Sequence, residues 1–237
     1  AVYASCAALF VLAGALVLAL RYEHEPAAVQ RATLETLLAG VRFVWQRRVV
    51  LGAISLDLFA VLLGGATALL PMFAKDILHT GPWGLGLLRA APAVGALGTA
   101  LLLARWPIRQ RAGTVLLAAV GVYGAATLGF ALSTWLALSI VMLAVSGAAD
   151  MISVVIRQSL VQLETPEAMR GRVSAVNSVF IGASNQLGEF ESGLTAALLG
   201  PVGSVLLGGL GSMAIAALWV RLFPALARRD RLVEHTP

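Results

Sequence analysis

Long apolar runs alternate with short polar segments along the whole chain. Seven of the runs are long enough to cross a hydrocarbon core, which takes about 20 residues of helix. They are continuously apolar, whereas the strands of a membrane barrel alternate every second residue, so the pattern predicts helices. We place the spans at Val2–Leu20, Val49–Phe73, Trp83–Ala104, Gly113–Ala131, Leu136–Ile156, Val173–Leu199 and Val202–Leu222.

The polar segment after the first span contains a shorter apolar pattern with helical spacing. We expect an amphipathic helix here that lies along the membrane surface. Its apolar face would consist of Leu34, Leu37, Leu38, Val41, Val44 and Trp45, and its polar face of Arg31, Glu35, Arg42 and Gln46.

Composition supports an integral membrane protein whose first partner is the lipid bilayer. Hydrophobic residues make up 59% of the chain and charged residues 12%, whereas soluble domains average about 25% charged residues. A net charge of +5 would suggest nucleic acid in a soluble protein, but the arginines are confined to alternate polar segments, so we expect no nucleic-acid partner. Cys6 is the single cysteine and the three histidines are far apart, so we expect no metal site and no cofactor.

Charge also predicts the orientation of the spans. Fifteen of the 17 basic residues lie in segments on one side of the membrane, and Lys75 is alone in the segments on the other. By the positive-inside rule the arginine side is cytosolic, so the chain would begin outside and Pro237 would end inside. We expect a multi-pass protein of the cell (inner) membrane with a cytoplasmic C-terminus.

Two acidic residues inside spans are candidates for proton coupling or for lining a cavity. Asp57 lies about eight residues into the second span and Asp150 about seven residues from the end of the fifth, so both are roughly 12 Å from the cytosolic side. Two carboxylates at one level can take up and release protons, and charges inside spans are functional candidates by default. The alternative is that each is held by a backbone group, a helix dipole or an arginine as part of the packing.

A second group of polar residues lies toward the outer side. Arg89 is about seven residues into the third span, and Glu189 and Glu191 are deep in the sixth, with Asn185 and Gln186 one turn away. An ion pair between Arg89 and one of these acids would form an outer gate or contact a charged substrate. Snorkelling of the long side chains to the interface is the alternative.

The polar junction before the sixth span bears on both the membrane topology of the chain and its resemblance to a known family. Thr165 is expected as a helix N-cap with Pro166 in the first turn, and Arg170 and Arg172 would form a cytosolic gate or a membrane anchor. The run PEAMRGRVSAV, residues 166–176, resembles the loop between the tenth and eleventh helices of major facilitator superfamily exporters, in the branch of siderophore and drug exporters. Ser55–Leu78 resembles the seventh helix of that branch.

The resemblance implies an all-α fold with seven transmembrane helices, of which the last six form the C-terminal half of a facilitator. Residues 1–20 would be the last helix of the N-terminal half, 21–48 a cytosolic linker, 49–222 the six-helix half and 223–237 a cytosolic tail. The chain is then a fragment whose partner is the missing N-terminal half. Residues 104–113 occupy the place of a G-x-x-x-D-R-x-G-R-R-like signature, but the acidic residue and the first glycine are absent.

From these observations and the resemblance we predict a secondary transporter that exports a small molecule, such as a siderophore or a drug, by proton-driven alternating access. No G-x-x-x-x-G-K-[ST] motif is present, so an ion gradient is the expected drive. The export direction and the substrate rest on the resemblance. One alternative is a polytopic membrane enzyme acting on lipid-linked substrates, which would require clustered acids or histidines. The other is a membrane scaffold that does not transport.

Overall fold

The computed structural model describes residues 2–19, 34–64, 66–108 and 110–229, and most of them are helical. Helix α1, Val2–Ala19, is a unit by itself, and the helices from Leu34 onward form a second unit. The predicted linker residues 21–33, Arg109 and the tail residues 230–237 lie outside the described residues. The second unit contains α2 (Leu34–Gln46), α3 (Arg48–Leu63), α4 (Leu70–Met72), α5 (Pro82–Arg105), α6 (Ala112–Ala131), α7 (Leu136–Glu164), α8 (Glu167–Leu222) and α9 (Pro224–Ala227).

Helix α8 is a hairpin of two spans that turns at Gly200. Gly200 has φ 76° and ψ 166°, a left-handed conformation that glycine tolerates, and Pro201 follows it. In a straight helix Ser192 and Ser204 would be about 18 Å apart. The Ser204 hydroxyl instead donates to the Ser192 carbonyl at 3.1 Å, so residues 167–199 and 201–222 run antiparallel as the first and second arms of α8.

The predicted all-α membrane fold is confirmed. Five helical stretches of the described chain are long and apolar enough to span a bilayer, and the longest is the α8 hairpin. Counting its two arms separately gives six spans, and α1 contains the shorter apolar stretch Cys6–Ala19. Successive helices run in opposite directions, so the helix ends at Arg48, Arg105, Glu164 and Arg221 lie together; we call this the arginine-rich end.

The second predicted span is broken in the part away from the arginine-rich end, which the sequence did not lead us to expect. Helix α3 stops at Leu63, and a 3-10 turn at Ala66–Leu69, α4 and a π-helical turn at Phe73–Ile77 complete the span. The hydroxyl of Tyr123 on α6 donates to the Gly64 carbonyl at 2.9 Å. This bond satisfies a backbone group that the broken helix leaves without its helical partner.

Two of the three hydrophobic clusters among the described residues lie toward opposite ends of the second unit. Leu56, Leu116, Ile156, Trp219 and Leu226 pack toward the arginine-rich end. Toward the opposite end Leu70, Phe73, Leu88, Phe130 and Leu143 form the second cluster. The packing therefore leaves a zone between the two clusters in which polar side chains lie.

Close helix contact between α5 and α7 depends on small residues. A Cβ atom at Gly95 would collide with the backbone of Ala144, and one at Gly147 with the backbone of Pro92. The small residues let the two helix backbones approach closely. On α5, Gly95 faces α7, whereas Gly86 and Gly98 have open space beside them.

The junction of α7 and α8 is tighter than predicted, and the expected N-cap is wrong. Thr165 is the extended C-cap residue of α7, and α8 begins at Glu167 after Pro166 with no side-chain cap. Proline disfavours the helical conformation in the residue before it, which keeps Thr165 extended. Its side chain is therefore not available to the first turn of α8.

The segment after α8 folds back over the arginine-rich end. Leu226 is fully buried, the Gly113 N–H donates to the Arg229 carbonyl at 3.1 Å, and Arg229 Nη2 lies 2.7 Å from Glu164 Oε1. Residues 223–229, which we call the return segment, therefore tie the ends of α6 and α7 to the bundle.

Helix α2 forms as predicted, but its apolar residues divide between two faces. Val44 is buried against Val161, Val173 and Val176 of α7 and α8, while Leu38 and Trp45 are 63% and 71% exposed. One face thus packs on the bundle and a second apolar face is left outside it.

Candidate functional site

A cavity of about 220 Å³ lies beside the break in α3, between α3, α5, α6, α7 and the first arm of α8. Three carboxylates from three helices line it: Asp57, Asp150 and Glu189. Tyr123, Thr127, Ser146, Ser153 and Asn185 add hydroxyl and amide groups. No lysine or arginine lines the cavity among the described residues, so its fixed charges are negative.

Asp57 is neutralised by a partner that sequence reasoning assigned to a loop. Its carboxylate forms a salt bridge with Arg157 of α7, and both residues are 9% exposed. Arg157 was counted among the cytosolic loop arginines, but α7 continues to Glu164 and keeps it in the bundle. Of the alternatives given for Asp57, the structure shows an arginine beside it, one that the predicted span boundaries had placed in a loop.

Asp150 differs from Asp57 because it has no counter-charge. It forms no salt bridge and no side-chain hydrogen bond in the described part of the chain, and it is exposed where the cavity opens. The hydroxyl-bearing residue Tyr123 lines the same cavity. Asp150 is thus a carboxylate that water in the cavity can reach.

A polar stripe on α7 explains how these groups reach one cavity. Ser146, Asp150, Ser153 and Arg157 recur at i, i+4, i+7 and i+11, which is one face of a helix. The Ser146 hydroxyl donates to the Leu143 carbonyl at 2.8 Å, and Arg157 Nε approaches the Ser153 carbonyl at 3.4 Å. This spacing was visible in the sequence and would have identified Arg157 as part of the site.

The predicted outer group is only partly assembled. Asn185 and Glu189 line the cavity, whereas Arg89, Gln186 and Glu191 are outside its lining. No salt bridge joins Arg89 to Glu189 or Glu191 within the described residues, and the Arg89 side chain is exposed. The structure therefore places Asp57, Asp150, Asn185 and Glu189 together and leaves the other three apart.

The predicted cytosolic pair lies in the first turns of α8. Arg170 forms an exposed salt bridge with Glu167 at 3.3 Å, and Arg172 Nη1 lies 3.5 Å from Met169 Sδ. The described residues contain no group of three or more histidine, cysteine or acidic side chains that would hold a metal ion.

Comparison with known proteins identifies a family and several relatives of the chain. The family model of the Major Facilitator Superfamily matches residues 1–189. The "Enterobactin exporter EntS" of Citrobacter koseri is 28% identical over 202 residues, which cover 82% of this chain and 47% of that protein. The protein of the same name from Escherichia coli O1:K1 / APEC is 29% identical over 196 residues, with the same coverages of 82% and 47%.

The chain spans about half the length of the curated relatives that it matches. No solved structure gives a significant match.

Proposed function

The chain belongs to the major facilitator superfamily, and from this premise we propose that it is the C-terminal half of a secondary exporter that moves a small molecule outward by proton-coupled alternating access. The proposed partner is an N-terminal half, of which α1 is the last helix. The protein would lie in the cell (inner) membrane with its arginine-rich end toward the cytoplasm. Positively charged residues hold the ends of membrane helices on that side.

The observation that carries this proposal is the cavity beside the break in α3. Non-helical backbone at membrane depth is tolerated where it lines a cavity or is buried in protein, and transporters place substrate sites at such broken helices. Here Gly64 at the break and the carboxylate of Asp150 line the same cavity.

We assign the proton-exchanging role to Asp150 rather than to Asp57. Protonating Asp57 would leave the Arg157 guanidinium buried without a counter-charge, which costs about 3–5 kcal/mol for a broken buried pair. Asp150 has no such partner in the described residues and faces the cavity, so a proton can come and go with little rearrangement. Asp57 and Arg157 would instead fix α3 against α7 while the cavity changes its access.

The remaining polar candidates divide between substrate contact and gating. Asn185 and Glu189 line the cavity and are proposed to contact the substrate. We keep Arg89, Gln186 and Glu191 as outer-gate candidates that the other half would complete. Because the relatives are enterobactin exporters by name, enterobactin is the first substrate to try.

The test is transport in inverted membrane vesicles that hold the chain together with its proposed N-terminal half. We expect a pH gradient to drive enterobactin uptake into the vesicles. Asp150→Asn should reduce that uptake at least tenfold and leave substrate exchange without a gradient intact, because exchange needs no net proton movement. Asp76→Asn is the matched control, since Asp76 is an exposed acid outside the cavity.

Two outcomes would contradict the proposal. Full gradient-driven uptake by the Asp150→Asn variant would remove Asp150 from proton coupling. Uptake that does not depend on a pH gradient in the parent protein would remove proton coupling altogether.

A further inference from the structure

A second pocket, of about 300 Å³, lies at the arginine-rich end between the last turns of α7 and the first turns of α8. We call it the junction pocket. Uncharged polar side chains and one guanidinium dominate its lining, and no carboxylate contributes to it among the described residues. The lining residues are Gln158, Val161, Gln162, Thr165, Arg170, Gly171, Ser174 and Asn177.

The junction pocket lies at the depth of lipid headgroups. Gln158 is 22 residues beyond Leu136, the start of α7, and at 1.5 Å per residue this is about 33 Å along the helix. A hydrocarbon core is about 30 Å thick, so α7 has left it at this point. The first arm of α8 also extends well beyond the length needed to span the core. Polar headgroups therefore surround the pocket.

Three features of the pocket suit an anion. The side-chain amides of Gln158, Gln162 and Asn177 line it and supply N–H donors. Arg170 supplies a guanidinium, which binds phosphate oxygens in a forked geometry. The exposed salt bridge of Arg170 with Glu167 holds it only weakly.

The third feature is an unpartnered hydroxyl. Thr165 is 2% exposed, and its Oγ1 atom is buried with no hydrogen-bond partner in the described part of the chain. Buried polar atoms without partners are rare, and one of them beside a pocket suggests a missing ligand. Thr165 itself lines the junction pocket, which puts this hydroxyl beside an anion bound there.

We propose that the junction pocket binds the phosphate group of an anionic phospholipid. Basic pockets between membrane helices bind lipid headgroups by this chemistry. The depth of the pocket favours a lipid over a free phosphate ion, because the headgroups are already concentrated there. The Arg170 guanidinium, the lining side-chain amides and the Thr165 hydroxyl act as donors, and Glu167 competes with the phosphate for Arg170.

The experiment is binding of dioctanoyl phosphatidylglycerol to the full chain in a non-ionic detergent, with dioctanoyl phosphatidylcholine and inorganic phosphate as comparison probes. We expect Arg170→Gln to weaken phosphatidylglycerol binding about tenfold, because a charge-assisted hydrogen bond is lost. Thr165→Val should weaken it about threefold. Glu167→Gln should tighten it about twofold by removing the competitor.

Arg228→Gln is the matched control, because Arg228 is an exposed cation at the same end but outside the junction pocket. Equal losses in the Arg170 and Arg228 variants would show unspecific attraction and overturn the proposal. Binding of inorganic phosphate without phosphatidylglycerol would overturn the assignment to a lipid. If Arg170→Gln no longer weakens phosphatidylglycerol binding once an N-terminal half is present, the junction pocket is a contact between the two halves and not a lipid site.

Discussion

The two ends of the second unit are held together by different kinds of interaction. At the arginine-rich end ion pairs cross between elements: Asp57 with Arg157 and Glu164 with Arg229. At the opposite end the contacts join neutral groups, such as the Thr195 and Ser204 hydroxyls at 2.7 Å and the Phe73 and Phe130 rings at 4.6 Å. Lys75 and Arg89 lie toward this end without a salt bridge in the described residues.

This difference implies that the two ends respond differently to substitution. A buried ion pair is costly to break on one side only, because the remaining charge stays in a medium of low polarity. A hydrogen bond between hydroxyls in a membrane protein contributes on average only about 0.6 kcal/mol. We therefore expect substitutions of single residues to destabilise the arginine-rich end more than the opposite end.

The largest effect should come from breaking the pair between Asp57 and Arg157. We expect Arg157→Leu and Asp57→Leu each to lower the free energy of unfolding by about 3 kcal/mol, because each leaves one buried charge. The double variant should lose much less than the sum. Unfolding of the purified chain in detergent, followed by circular dichroism, measures all three. Additive losses would show that the two charges are not coupled.

A smaller effect is expected where the return segment meets α7. The Glu164 and Arg229 side chains are 19% and 23% exposed, so their pair lies between the buried and the exposed cases. We expect Arg229→Gln to cost about 1–2 kcal/mol in the same unfolding measurement. Arg228→Gln, at its exposed neighbour, should change the stability by less than about 0.5 kcal/mol. Similar losses of stability in both variants would show that the pair between Glu164 and Arg229 makes no specific contribution.

The smallest effect should be found at the opposite end, in the hairpin of α8. Ser204→Ala removes hydrogen bonds to Thr195 and to the Ser192 carbonyl, and we expect a loss of about 1 kcal/mol. Ser178→Ala on the exposed surface of the first arm is the control, with no change expected. A loss larger than that of Arg157→Leu would reverse the proposed ranking of the two ends.

Much of the fold could be predicted because membrane spans have a simple requirement of length and apolarity. Asp57 and Asp150 were expected at one level from residue counts alone, and they line one cavity. The break in α3 was missed because the apolar run continues through it without a polar signal, although Gly64 and Gly65 marked a weak point. Backbone conformation inside an apolar run depends on tertiary partners such as Tyr123.

The partners of individual charges were harder to predict. Arg157 was assigned to a loop because the apolar run ends at Ile156, yet the helix continues for two more turns. Thr165 matched the usual sequence pattern for a helix N-cap, but the proline after it makes it the C-cap residue of the preceding helix. Arg89 was predicted to pair with an acid on α8. Such a pair depends on which helices are neighbours in the fold, and the sequence does not show this.

The turn at Gly200 also has a consequence for how the protein is made. The two arms of α8 are joined by a glycine and a proline with no charged residue between Ser192 and Trp219. During synthesis these arms can therefore enter the bilayer together as a helical hairpin, because no hydrophilic loop has to be carried across. The connection consists of a glycine and a proline alone, so probes of membrane topology are better placed in the longer connections.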